Sequence, residues 1–262
     1  MTADRSGMST LPAETTLTDL ATCPQLADAV DELLNANLPA FMGWESPGNW
    51  RWHQIYARFP EIQACLLSPD GSLLGAVNGV PVRWDGRPGS LPGGYDDVLV
   101  DVIDGDLGTD ATALCLLSIS VAAFARGQRV PELLLGHMRE VAAPVYPAGI
   151  IIPLRPTRKH WYPLIPIREY ASWRRPDGAV FDPWLRTHVA SGAQILSFAD
   201  QSLVISQPAG RWEHATGRPM PMPGDYIVPG ALAPVRCDDT GTATYAEPNV
   251  WVWHAPSIRM EK

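Results

Sequence analysis

The stretch ARGQRVPELLLGHM, Ala125 to Met138, holds the side chains best suited to binding an anion. An apolar run, Ala113–Val121, precedes it and a helical pattern follows, so the loop carrying Arg126, Gly127, Gln128, Arg129 and Val130 presents backbone N–H groups and a positive helix end to the same point. Arg126 and Arg129 add charge-assisted bonds of their own. The carboxylates Asp96 and Asp97, in the Gly-rich stretch LPGGYDD, have two readings: proton acceptors at the edge of a cleft, or turn and N-cap groups. Ser118 and Ser120 share one face of the preceding run and suit either packing or contact with a ligand.

Other chemistries find little support. The six histidines lack H-x-x-x-H or H-x-E spacing and the four cysteines, Cys23, Cys65, Cys115 and Cys237, stand far apart, so neither a metal site nor a disulfide framework is expected. No G-x-S-x-G occurs to mark a serine nucleophile. A net charge of −8 repels a phosphate backbone, which argues against nucleic acid as a partner. Acidic residues crowd Asp96–Asp110 and basic ones Arg155–Arg175; either these are two solvated faces, or they attract a cationic substrate and an anionic cofactor respectively.

The elements that must position these groups are readable from periodicity. Pro24–Leu38 has apolar residues at helical spacing. Glu61–Leu67 and Ser72–Trp84 are joined by Ser-Pro-Asp-Gly, a hairpin signal. Ala113–Val121 reads as a strand buried on both faces, Val130–Val141 as a helix with Pro131 in its first turn, and Gly149–Leu154 as another buried strand. Strand, helix and strand then form a right-handed βαβ crossover. Gln194–Phe198, Ser202–Ile205 and Asn249–Trp253 read as further strands.

The loop resembles the pyrophosphate loop of the GNAT (GCN5-related N-acetyltransferase) superfamily, whose pattern Q/R-x-x-G-x-G/A follows its fourth strand. Arg126 and Gly127 match the common opening, while Arg129 stands at the first motif glycine and Pro131 at the second small position. The family's N-x-x-A-x-x-x-Y after the fifth strand falls on Arg155, Arg158 and Tyr162, of which the tyrosine alone matches. The stretch RPTRKHWYPLIPIREYASWRR is also similar to a poorly characterised actinobacterial-type subgroup of that superfamily. The resemblance runs from about Leu26 to Ile205.

The resemblance implies an α/β fold: a mixed, mostly antiparallel central sheet flanked by helices, with a C-terminal β-rich extension. It divides the chain into a disordered 1–16, a core over 17–205 and an extension over 206–262 packed on the core. It implies an enzyme that moves an acyl group, acetyl above all, from acetyl-CoA or another acyl-CoA to an amine or other small nucleophile by direct attack in a ternary complex. Ile119, Ser120 and Val121 would pair with the pantetheine arm, Arg126, Gly127, Gln128, Arg129 and Val130 would hold the diphosphate, Tyr162 would act as acid for the leaving thiolate and Asp97 as base. Two alternatives stay open: a catalytically silent GNAT-like binding module, and an enzyme that takes its acyl group from acyl carrier protein. The acceptor is expected to be a small molecule, cationic if the acidic stretch borders it. No metal and no membrane partner is expected, the compartment is expected to be the cytoplasm, and a homodimer is among the oligomeric options.

Overall fold

The computed structural model of the chain describes residues 14–105 and 110–256. In chain order its elements are β1 (Thr16–Asp19), α1 (Ala27–Asn37), α2 (Gln54–Arg58), β2 (Ala64–Leu67), β3 (Leu73–Val82), α3 (Tyr95–Asp104), β4 (Ala113–Val121), α4 (Val130–Ala142) and β5 (Ile150–Leu154). There follow α5 (Ile167–Ser172), α6 (Pro183–Ala190), β6 (Gln194–Pro208), α7 (Ala209–Thr216), β7 (Gly224–Tyr226), β8 (Val235–Cys237) and β9 (Thr242–His254). The expected disordered N-terminus lies mostly outside the described residues; Thr16, its last residue, opens β1 and pairs with Leu67.

The strands form a single mixed sheet in the order β1-β2-β3-β4-β5-β9-β8-β7, with β6 on the other edge of β9. Every pair is antiparallel except β4 with β5, which the α4 crossover makes parallel. Side-chain alternation splits the buried apolar residues between two layers. Leu114, Leu116, Ile150, Ile152, Val250 and Val252 pack with Val130, Leu134 and Met138 of α4. Ala113, Cys115, Ile151 and Trp251 turn the other way, toward Ile55 of α2 and Val98, Leu99 and Val102 of α3. Strands β4 and β5 are therefore covered on both faces, which is why they read as nearly continuous apolar runs.

The Pro-Asp-Gly turn closes the β2–β3 hairpin, with Gly71 at φ +83 and its amide bonded to the Ser68 carbonyl at 2.9 Å. Two expectations are corrected. The turn reading of LPGGYDD gives way to a helix: Tyr95 starts α3, whose buried face includes Val98, Leu99, Val102 and Ile103. The two short strands expected over 194–205 are one strand, β6, with an irregular register between Ala199 and Leu203. A boundary after Ile205 accordingly falls inside β6, and the C-terminal residues continue the same sheet.

Candidate active site

The β4–β5 ladder is short. It pairs Leu114 with Ile150 and Cys115 with Ile151, and beyond Cys115 the two strands diverge. The β9 edge has a corresponding gap, since β5 pairs with Val250–His254 and β8 with Ala243–Tyr245, leaving the stretch around Glu247 uncovered on that side. A cleft of about 890 Å³ opens there. Leu116–Ser120 of β4 form one wall and Ile152–Leu154 of β5 another, with Asp31 and Leu34 of α1 from one face of the sheet and Pro131, Trp184 and His188 of α4 and α6 from the other.

On the α1 face, a carboxylate organises three polar side chains. Asp31 Oδ1 accepts from the Tyr56 hydroxyl at 2.6 Å and from Trp52 Nε1 at 3.1 Å, while its Oδ2 lies 3.2 Å from His53 Nδ1. Burial, reinforced by the Asp31 carboxylate, raises the Tyr56 pKa. His53, its side chain 77% exposed, is left with Nε2 free of that contact, an imidazole oriented by a carboxylate at the cleft border.

At the floor, Arg155 leaves the end of β5 and crosses the gap in the sheet. Its Nε donates to Glu247 Oε2 at 2.9 Å and an outer nitrogen to the Gly230 carbonyl at 2.6 Å. Glu247 also accepts from the Tyr245 hydroxyl at 2.9 Å and Asn249 Nδ2 at 3.2 Å. Burial by itself would lower the Arg155 pKa, but the charge and hydrogen bond of Glu247 outweigh it and leave it raised. Ser118 Oγ donates to Asn78 Oδ1 at 2.7 Å, at the bulge where β3 shifts register against β4.

On the opposite face, Asp182 fixes α6. Its carboxylate caps the helix by accepting from the backbone amides of Trp184 and Leu185, and it also holds the amides of Thr157 and Arg158 and the Tyr170 hydroxyl. The result is a rigid connection from β5 that sets Trp184 and His188, four residues apart on one helical face, against the cleft.

The anion loop sits at the mouth. Arg126 lines the cleft and one of its terminal nitrogens donates to Asn37 Oδ1 at 3.0 Å, tying the loop to the end of α1. Gly127 has φ +81, and Arg129, immediately before α4, has φ +58, the only non-glycine among the described residues in the left-handed region. Arg129 thus adopts the backbone that glycine takes without a Cβ clash, at the position where the family pattern has glycine.

No family model matches the chain. A curated relative, the arginine N-acetyltransferase avaD of Aspergillus versicolor, is 33% identical over 160 residues, covering 54% of this chain and 55% of the relative. The chain therefore matches about half the length of that protein. Among solved structures, the loading GNATL domain of CurA from Lyngbya majuscula superposes with a TM-score of 0.53 at 17% identity over 72% of this chain and 88% of its own. The GphF GNAT-like decarboxylase in complex with isobutyryl-CoA superposes with a TM-score of 0.54 at 18% identity over 93% of this chain and 100% of its own. The chain has the GNAT fold.

Of the residues singled out in the sequence, Ile119, Ser120 and Arg126 line the GNAT cleft. Val121 adjoins them, its carbonyl accepting from Asn37 Nδ2 at 3.3 Å. Gly127, Gln128 and Arg129 form the loop above it, and Val130 is buried at the start of α4. The two expected catalytic groups are not among the lining residues. Asp97 is an exposed residue of the first turn of α3 whose carboxylate accepts from the Gly93 amide at 3.1 Å. Its neighbour Asp96 is buried and structural, accepting from Ser46 Oγ, Gly48 N and Val204 N. Tyr162 packs in a cluster of rings, 4.9 Å from Trp173 and 5.9 Å from both Tyr170 and Phe181.

Sequence reasoning missed the Asp31–His53 pair, the Arg155–Glu247 pair and the Trp184–His188 face. The last had a readable signal in Asp182-Pro183-Trp184, a cap followed by proline in the first turn. Among the described residues no group of three or more His, Cys, Asp or Glu is placed to hold a metal ion, and no helix is long and apolar enough to cross a membrane.

Proposed function

We propose that the chain transfers an acyl group, acetyl above all, from a coenzyme A thioester to the amine of a small cationic acceptor. The observation that carries this reading is the cleft that passes through the sheet where β4 leaves β5. The amide-bearing arm of the thioester would lie along the unpaired side of β4 at Ile119–Val121, in the manner of an added strand. Its diphosphate would lie near Arg126, Arg129 and the start of α4. The acceptor would enter from the α1 face, where Asp31 supplies negative charge and Trp52 and Tyr95 supply rings for an alkyl or guanidinium group.

In the reaction the acceptor nitrogen attacks the thioester carbon, the C–S bond breaks, and the amide and the free thiol form. The nitrogen gives its proton to His53 Nε2, directly or through one water, and the departing thiolate takes a proton from solvent. Asp31 holds the imidazole for this step, and Asp97, which is not among the cleft-lining residues, is given no part in it. The arginine N-acetyltransferase relative supports an amine acceptor, and the isobutyryl-CoA complex of the GphF fold neighbour supports a CoA thioester in such a cleft. That neighbour's description as a decarboxylase favours a second reading, in which an acyl-CoA carboxylate is lost as carbon dioxide.

Titration calorimetry with acetyl-CoA, followed by thiol-release assays with arginine and polyamines, tests the proposal. Binding should be saturable, weaken about tenfold in Arg126→Ala through loss of a charge-assisted bond, and be followed by amine-dependent thiol release that His53→Ala depresses. Binding without turnover by any amine would leave a silent binding module, and carbon dioxide release from malonyl-CoA without an acceptor would favour the second reading. Absence of binding would overturn the reading altogether, including its carrier-protein variant if acyl carrier protein thioesters also fail to react.

A further inference from the structure

His188 on α6 and His254 at the end of β9 form a buried imidazole pair behind the thioester side of the cleft. His188 Nδ1 lies 2.9 Å from His254 Nε2, and both rings are almost wholly enclosed, at 0% and 1% exposure. The two outer nitrogens, His188 Nε2 and His254 Nδ1, have no hydrogen-bond partner, and neither has the buried Nε of Arg139 on α4. Orphaned polar atoms at this depth cost stability, so three around one ring pair need a reason. His188 is also a cleft-lining residue, with its unpartnered Nε2 buried beside that wall.

The protons can be placed by elimination. Burial lowers the pKa of His188 to about 3 and that of His254 to about 4, with the Arg139 charge adding to the effect on His254, so both rings are neutral at pH 7 and share two ring protons. One proton must sit between the rings to make the 2.9 Å contact. The other belongs to one of the outer nitrogens. The Arg139 charge, which acts on His254, favours a lone pair on its unengaged nitrogen, Nδ1, because His254 Nε2 is engaged with His188. His254 Nε2–H therefore donates to His188 Nδ1, and the remaining proton lies on His188 Nε2.

We propose that His188 is a substrate-binding residue whose neutral Nε2–H donates a hydrogen bond to an oxygen of the acyl-pantetheine segment, with His254 and Arg139 as positioning residues that set its tautomer. This rests on the acyl-CoA reading above. The pair transfers no proton: each ring stays neutral, and the gain is a fixed dipole at an enclosed point, already oriented before the thioester arrives. Trp184, one helical turn before His188, provides the apolar wall that keeps water from taking the same bond.

Nitrogen-15 NMR of the imidazoles in the full chain, with and without acetyl-CoA, and calorimetry on His188→Leu, His188→Gln and Arg139→Met test the proposal. The free protein should show His188 in the Nε2–H form, unchanged between pH 5 and 8, and acetyl-CoA should move the Nε2 resonance. His188→Leu should weaken acetyl-CoA binding about tenfold, as loss of one buried donor does. His188→Gln, whose side-chain amide reaches the same position, should restore most of it, and Arg139→Met should mix the His188 tautomers. The wild-type NMR decides the tautomer even if a variant fails to fold. A His188 Nδ1–H form, an Nε2 resonance indifferent to saturating acetyl-CoA, or equal losses in Leu and Gln would overturn the role of His188 while leaving acyl-CoA binding standing. No calorimetric binding by the wild type would overturn both.

Discussion

Two buried polar clusters border the same cleft and are built on opposite rules. Around Glu247 every partner is accounted for: Arg155, Tyr245 and Asn249 donate to its carboxylate, and the second arm of Arg155 reaches the Gly230 carbonyl. Around His188 and His254 the rings are neutral, one hydrogen bond joins them and the outer nitrogens are bare. A buried charge has to be matched in full because its desolvation costs several kcal/mol, whereas a neutral imidazole carries a missing bond for far less. The first arrangement is what a structural lock needs. It joins the end of β5, the uncovered stretch of β9 and the loop before β8, across the gap where the sheet is interrupted. The second keeps bonding capacity in reserve, which is what a binding group needs.

The largest expected effect breaks the lock. Glu247→Ala leaves the Arg155 guanidinium without its counter-charge beside the Tyr245 hydroxyl, and should destabilise the fold by about 3 kcal/mol, the lower end of the range for a broken buried pair because Arg155 retains some solvent contact. Urea denaturation measures it. Replacing both members, Arg155→Met with Glu247→Leu, should recover most of the loss, since no charge is then stranded. A double variant as unstable as the single one would show that Glu247 acts through something other than Arg155.

The contrast also sets a pH dependence. Both histidines have native pKa values below their ordinary 6.5, at about 3 and about 4. Above pH 6.5 neither the folded nor the unfolded chain protonates them, and they contribute no slope. Between pH 6.5 and about 4 the unfolded chain takes up protons that the folded chain refuses, so stability falls as the pH falls, by up to about 1.4 kcal/mol per pH unit for each ring. Denaturation midpoints at pH 7, 6 and 5 should therefore drop more steeply in the wild type than in a variant carrying His188→Leu and His254→Leu. Comparing the two slopes cancels the carboxylates common to both. Equal slopes would place a compensating proton on the native pair and weaken the distinction between the clusters.

The parts legible in the sequence were those that are local. The β4–loop–α4–β5 unit follows from contiguous apolar runs, a proline in a first turn and an arginine–glycine loop, and it contributes Ile119, Ser120 and Arg126 to the cleft. The two clusters are non-local: Arg155 and Glu247 are 92 residues apart and His188 and His254 are 66 apart, with nothing in either neighbourhood to announce the partner. Helix α3 was obscured by its own start, where two glycines and two aspartates imitate a turn; the buried Val98, Leu99 and Val102 and the three bonds of Asp96 decide the matter only when the rest of the fold is in place.

Tyr162 stands at the family spacing but packs among rings outside the cleft lining, and its substitution is the smallest expected effect. Counting from β5 puts it where a helix would aim its hydroxyl into the cleft. Here β5 is followed instead by a long connection containing α5, and the helix that reaches the cleft is α6. Lys159, almost fully buried, anchors that connection by donating to the carbonyls of Tyr162 at 2.8 Å and Leu232 at 2.6 Å, so it is the backbone of Tyr162 that is fixed, with its ring among Tyr170, Trp173 and Phe181. Tyr162→Phe keeps that ring packing and removes an oxygen that belongs to neither cluster. Acetyl-CoA affinity and turnover should stay within about twofold of wild type, where loss of a general acid costs on the order of a hundredfold, and the melting temperature should move little, as for a surface polar change of under about 0.5 kcal/mol. A hundredfold fall in kcat with affinity and stability intact would return the thiolate to Tyr162, and would require the connection between β5 and α6 to rearrange when the thioester binds.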